Sequence, residues 1–131
     1  MLTVTLGGQD WSSDAYLDED TPAAVVHDAY LALMRNDMAR ARGYFSSRVL
    51  AETEKEIPFV ERFAYLRDQN TRLRILEVTM EGEDKALVTV AIDRYTPGGL
   101  FDANTIWTDR RTIPLVREAD GWKIDTVDLL F

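Results

Sequence analysis

The fold is decided by the stretch Ile113-Pro114-Leu115-Val116-Arg117-Glu118-Ala119-Asp120-Gly121-Trp122-Lys123-Ile124-Asp125. Its centre, Asp120-Gly121, is a strong hairpin signal, because a type I′ turn needs positive φ at both central residues. The pattern predicts two antiparallel strands joined at this dipeptide. Trp122 opens the second strand, and we expect its ring to pack against helices with Ile124 beside it.

Upstream of this hairpin, apolar and polar residues alternate as they do in strands. The clearest alternation covers residues 86–95, and a longer strand is predicted over 105–117. Another strand covers 73–80, where Ile75-Leu76 interrupts the alternation as a β-bulge would. With a closing strand over about 122–127, the sequence predicts four consecutive antiparallel strands.

The first half of the chain has helical periodicity instead. Thr21 is a good N-cap residue, and Pro22 suits the first helical position, where its missing N–H costs nothing. Asp37 is expected to cap a short second helix, Ser46-Ser47 to begin a third, and a fourth to lie between residues 59 and 70. Helices followed by consecutive strands predict an α+β fold, with the helices on one face of a curved antiparallel sheet of about four strands.

An acidic segment precedes the first helix. Residues 1–28 contain six carboxylates and no Lys or Arg; the formal net charge is −8, so the rest of the chain is nearly balanced. We expect residues 1–20 to form an acidic arm outside a domain at 21–131. Within this arm, Leu2, Val4 and Leu6 alternate with other residues, a pattern that fits the edge of a sheet.

The composition excludes several classes of function. The chain has no cysteine, which excludes a disulfide framework, a thiolate metal site and a cysteine nucleophile. It shows no basic face for nucleic acid, no apolar run near the roughly 20 residues that span a bilayer, and no signal-peptide pattern. We therefore expect a soluble domain without metal, cofactor, nucleic-acid partner or membrane insertion. Its compartment stays open, and a trimmed domain of an exported or lipid-anchored protein fits equally.

The order of these elements resembles the NTF2-like (cystatin-like) superfamily over roughly residues 21–127. The resemblance is carried by the Thr21-Pro22 helix start, the short helix within residues 37–45 and the Asp-Gly-Trp-Lys-Ile-Asp hairpin at 120–125. It implies a cone, in which a bent sheet wraps a long first helix and leaves a pocket at its open end. Members include isomerases, dehydratases, epoxide hydrolases, polyketide cyclases and non-enzymatic binding modules. No catalytic pattern of these enzymes matches residue by residue, so we assign no catalytic residue.

Strand parity predicts a ligand pocket at the open end of this cone. If the faces that carry Arg94 and Trp107 both turn toward the helices, Asp109 and Arg111 join them there, with Tyr30 nearby. Two arginines around one aspartate leave positive charge, which suits a carboxylate or phosphate ligand. The alternative interpretation is a solvated cross-strand ion pair of little energetic consequence.

His27 is the only histidine of the chain. It lies at the border of the apolar stripe on the first helix. We expect it to be structural, and the alternative is a general base at the pocket mouth.

The sequence favours a non-catalytic module that binds a small anionic or hydrophobic molecule or another protein, because no acid/base pattern is recognisable. The alternative is a small cofactor-free enzyme of the isomerase, dehydratase or cyclase type, using general acid/base chemistry in the pocket.

The outer face of the predicted sheet suggests a homodimer. It is more apolar than a face left in water should be, and a two-fold contact would cover it. Asp93 and Arg110 lie on the same face, where they could pair within one chain or across the interface. The competing idea is that the segment around Leu2, Val4 and Leu6 folds over it. The face is predicted to carry Leu87, Ala91, Tyr95, Ile106, Thr108, Thr112 and Val116.

Overall fold

The computed structural model describes residues 2–5, 15–55, 71–96 and 105–126. Within these ranges all strands join one antiparallel sheet in the order β1-β2-β3-β4-β5, and the helices lie between β1 and β2 in the chain. The α+β fold class is confirmed. The elements are β1 Leu2–Thr5, α1 Pro22–Met34, α2 Met38–Arg42, α3 Ser47–Lys55, β2 Thr71–Met80, β3 Lys85–Thr96, β4 Thr105–Glu118 and β5 Gly121–Ile124.

Side-chain caps begin all three helices, as the sequence predicted. In each, the side-chain oxygen accepts a hydrogen bond from the backbone N–H three residues later, which satisfies a donor with no partner inside the helix. The capping residues are Thr21, Asp37 and Ser46, at 3.3, 3.3 and 3.2 Å. The fourth helix, predicted between residues 59 and 70, lies outside the described residues.

The predicted bulge and edge strand are both present. The pairing of β2 with β3 shifts register between Ile75 and Glu77, which confirms the bulge at Ile75-Leu76. β1 pairs with the free edge of β2, with Leu2 opposite Met80. Residues 2–5 therefore extend the sheet sideways and do not lie across its outer face.

The β4–β5 turn differs from the predicted type I′ turn. Glu118 pairs with Gly121, so the central turn residues are Ala119 and Asp120. Gly121 has φ 126, whereas the described non-glycine residues with positive φ are Asp18 and Asn36. The glycine is thus required at the first position of β5 and not inside the turn. A Cβ there would stand 2.7 Å from Asp20 Oδ1, so the glycine also makes room for this carboxylate.

The core lies between the helices and one face of the sheet, which we call the core-side face. Trp122 is 6% exposed and Ile124 is fully buried, which confirms their predicted packing. The chain between α2 and α3 joins this core by pairing with β5: Ile124 N–H donates to the carbonyl of Tyr44 at 2.7 Å, and Ser46 N–H donates to the carbonyl of Ile124 at 2.9 Å. The largest fully buried side chains are Val26, Leu33, Phe45, Ile92, Ile113, Leu115 and Ile124.

Candidate functional site

The register shows where the residues of the predicted pocket lie. Arg94 is opposite Trp107, and the side chains of these two lie outside what the structure describes. Asp109 and Arg111 are opposite Ile92 and Val90, two fully buried core residues, so both belong to the core-side face.

The predicted pocket is not seen as a closed site, because two of its residues are exposed. Asp109 and Arg111 are exposed, and Tyr30 on α1 is half-buried against the core. A binding site built from all five residues therefore stays a prediction.

A different cleft lies beside the β4–β5 turn. It has a volume of about 280 Å³, and the sequence did not predict it. Its walls come from the chain before α1, from α1 itself, from the end of α2 and from the β4–β5 hairpin. None of the five predicted pocket residues lines it. The lining residues are Asp18, Glu19, Asp20, Val25, Asp28, Gly43, Tyr44, Asp120, Trp122 and Lys123.

Asp28 holds one wall of this cleft in place. This α1 carboxylate is 1% exposed, and its two oxygens accept the backbone N–H groups of Leu17 and Asp18, each at 2.9 Å. A buried carboxylate is costly unless such donors satisfy it. Asp28 therefore fixes the end of the acidic segment against α1.

Two further contacts tie this segment to other elements. Asp18 forms an ion pair with Arg40 of α2, whose guanidinium lies 3.5 Å from the ring centroid of Tyr16. Asp20 Oδ1 accepts the backbone N–H of Trp122 at 2.9 Å. Residues 15–20 thus contact α1, α2 and β5, whereas the sequence suggested a solvated arm. The domain boundary at residue 20 stays a prediction.

His27 takes part in the same structural network. It is 2% exposed, and its Nδ1 lies 2.8 Å from Asp28 Oδ1. His27 does not line the cleft. This geometry agrees with the structural interpretation of the only histidine.

Most of the cleft's titratable groups are already paired. Lys123 Nζ lies 3.1 Å from Asp120 Oδ2 and donates to the carbonyl of Gly43 at 2.6 Å; its hydrogen bond lowers the pKa of Asp120. Burial, together with the nearby Asp28 charge, raises the pKa of the Tyr44 phenol, although Arg40 donates a hydrogen bond to it at 3.0 Å.

This arrangement favours a cationic occupant over an anion, because five carboxylates and one lysine line the cleft. It does not favour a metal ion: over the described ranges no three His, Asp or Glu side chains come together as a metal would require. The sequence showed the acidic residues but not their meeting point, since the Asp20–Trp122 contact joins residues 102 positions apart.

Comparison with known proteins identifies the fold. No family model and no curated protein matches the chain. A putative ketosteroid isomerase from Shewanella frigidimarina NCIMB 400 is 22% identical, with a TM-score of 0.58 over 82% of this chain and 91% of that one.

A second solved structure, a Sec-C motif containing protein from Psychrobacter arcticus, is 12% identical, with a TM-score of 0.61. The match covers 83% of this chain and 60% of that protein. Likeness at these identities speaks for the fold alone. The chain has an α+β fold consistent with the NTF2-like type.

Proposed function

We propose that this chain is a non-catalytic binding or interaction module built on an NTF2-like scaffold. One observation carries the proposal: the buried acid/base groups of α1 are used for structure. Asp28 accepts two backbone N–H groups and contacts the only histidine, so this pair has no free oxygen or accessible ring to offer a substrate. A binding module needs no such group, whereas a general base must reach its substrate.

The proposed ligand is a small carboxylate with an apolar body, bound at the core-side face by Arg94 and Arg111. Asp109 orients the arginines, and Trp107 and Tyr30 supply apolar contact. The exposure of Asp109 and Arg111 beside buried core residues supports this choice. An arginine fork matches a carboxylate in geometry and charge.

Titration with benzoate tests this pocket through tryptophan fluorescence. Saturable quenching is expected in the wild-type chain and should disappear in an Arg94→Ala/Arg111→Ala double variant. Lys123→Gln is the matched control, because it removes a cation that lines the other cleft. Quenching that survives in the double variant, or that disappears in the control, contradicts the proposed pocket.

The second candidate function is a small cofactor-free enzyme. It is favoured by the similarity to the putative ketosteroid isomerase, of which the match covers 91%. The test is the ultraviolet absorbance of a conjugated enone, formed from an unconjugated 3-ketosteroid. Turnover that an Asp109→Asn variant loses would favour the enzyme, and benzoate binding without turnover favours the module.

We also propose a homodimer through the outer face of the sheet. Near the β4–β5 turn this face carries Leu87, Pro114 and Val116, all half-buried in one chain. A self-complementary contact between two such apolar areas is the ordinary two-fold solution.

The rest of the outer face is more polar than the sequence suggested. The register adds Arg72 and Arg74 of β2, which lie opposite Asp93 and Ala91. Within the chain Asp93 pairs with Arg74 and not with Arg110, so of the two suggested pairings only the one across an interface stays a prediction. The reason is register: Arg74 comes from the strand on the other side of β3, which the sequence did not align. The proposed dimer contact is therefore limited to the end near the turn.

A further inference from the structure

Three arginines occupy the part of the outer face away from the β4–β5 turn. Arg72 and Arg74 come from β2, and Arg110 comes from β4. Between them, β3 contributes Asp93 opposite Arg72, and Ala91 opposite both Arg74 and Arg110. We call these five residues the arginine patch.

Asp93 forms hydrogen bonds with only one of the three arginines, Arg74. It is 8% exposed and accepts hydrogen bonds from Arg74 Nε at 2.8 Å, from the Arg74 terminal nitrogen at 3.1 Å and from Thr108 Oγ1 at 2.8 Å. The Arg74 hydrogen bonds lower the pKa of this carboxyl, so Asp93 is ionised at neutral pH. Both of its oxygens accept hydrogen bonds, and two of these come from the Arg74 guanidinium.

Arg72 and Arg110 keep their charges available. Both are exposed, and neither side chain makes a hydrogen bond or ion pair with another described residue, although the Arg72 charge helps to lower the pKa of Asp93. The other carboxylate that β2 and β3 carry on this face is Glu77, opposite Thr89 on the far side of the bulge. The patch is therefore locally positive on a chain whose net charge is −8.

We propose that the arginine patch docks an acidic segment of a protein partner. The two available arginines are on β2 and β4 and are offset by two residues along the strands, so their backbones are about 12 Å apart. Carboxylates four residues apart on an extended chain lie on the same face and span about 13 Å, close to this distance. Charge complementarity of this kind selects and steers the partner. Nucleic acid fits less well, because it needs a basic face that neutralises several phosphates, and the patch offers only two available arginines.

The surface belongs to the proposed interaction module, but it is separate from both the core-side pocket and the apolar end of the outer face. A two-fold contact centred on the patch would place arginine on arginine. A second copy is therefore a poorer occupant here than an acidic partner.

Fluorescence anisotropy with a labelled hexaglutamate peptide at low ionic strength tests the proposal on the full chain. The wild-type chain should bind saturably and lose affinity as salt is added. An Arg72→Gln/Arg110→Gln double variant should bind about tenfold more weakly, since two exposed charge pairs are lost. Arg117→Gln is the matched control: it removes one exposed arginine from β4, at a position opposite Trp122 on the core side.

Circular dichroism establishes that each variant is folded. An equal loss in Arg117→Gln would show an unspecific charge effect and overturn the proposal. If Arg111→Gln is the one variant that loses peptide affinity, the anion binds at the core-side pocket. That result would overturn the patch and leave the proposed ligand site in place. Equal affinity for an oligonucleotide of the same charge would also overturn the proposal. So would a double variant that binds the peptide unchanged but self-associates more weakly.

Discussion

The contact of Asp20 with Gly121 and Trp122 yields a prediction that a double-mutant cycle can test. In Gly121→Ala, the new Cβ would stand 2.7 Å from Asp20 Oδ1, and the residue would keep a φ of 126, which L side chains rarely adopt. The carboxylate must then move away, and the N–H of Trp122 loses its acceptor at 2.9 Å.

In Gly121→Ala, two effects lower the free energy of unfolding. The backbone strain costs about 1–3 kcal/mol. Loss of the hydrogen bond to a charged, partly exposed acceptor adds about 1–2 kcal/mol, and this second loss is all that Asp20→Ala alone should show. In the Asp20→Ala/Gly121→Ala double variant, that hydrogen bond can be lost only once. We therefore expect the double variant to be about as stable as Gly121→Ala alone.

Urea unfolding followed by circular dichroism measures all four proteins. Gly82→Ala is the matched control, because Gly82 has φ 86 and nothing within 4 Å of its missing Cβ. It should show the strain alone, and its effect should add to that of Asp20→Ala. If the double variant at Gly121 is instead less stable than Gly121→Ala by the full cost of Asp20→Ala, the two positions are independent. The contact that fixes the acidic segment to β5 would then be refuted.

Three further outcomes are expected. Trp122→Ala should lower the free energy of unfolding by about 3–5 kcal/mol, as removal of a buried aromatic ring does, and a loss below about 1 kcal/mol in urea would show that the ring is exposed. Because the pKa of Asp93 is lowered, its ionised form stabilises the folded chain at pH values above the unfolded pKa of about 3.9, and this stability is lost as pH falls through the folded value. In an acid titration, Asp93→Asn should therefore show a shallower loss of unfolding free energy than the wild-type chain. Sedimentation at micromolar concentration should show a dimer that Leu87→Glu/Val116→Glu disrupts, and a wild-type monomer of 14.9 kDa would reject the interface.

None of the helices in the described ranges is long and apolar enough to cross a bilayer.

The sequence by itself determined the elements whose causes are local. Helix caps act over three residues, which is why Thr21, Asp37 and Ser46 were recognisable without a structure. Strand alternation also repeats within a few residues, so β2 to β5 and the bulge near Ile75 were predicted within narrow limits. Trp122 was assigned to the core from its parity in the hairpin.

Only the tertiary structure decided which distant residues meet. The hairpin glycine was visible, but the register that places it at the start of β5 was not, nor was the hydrogen bond between Asp20 and Trp122, which are 102 residues apart. The partner of Asp93 likewise depends on how β2 is aligned with β3, and a shift of one residue would have moved Arg74 to the core-side face. Periodicity fixes which face of its own strand or helix a residue occupies. Contacts between charged groups on different elements depend in addition on register and packing, which the whole core sets together.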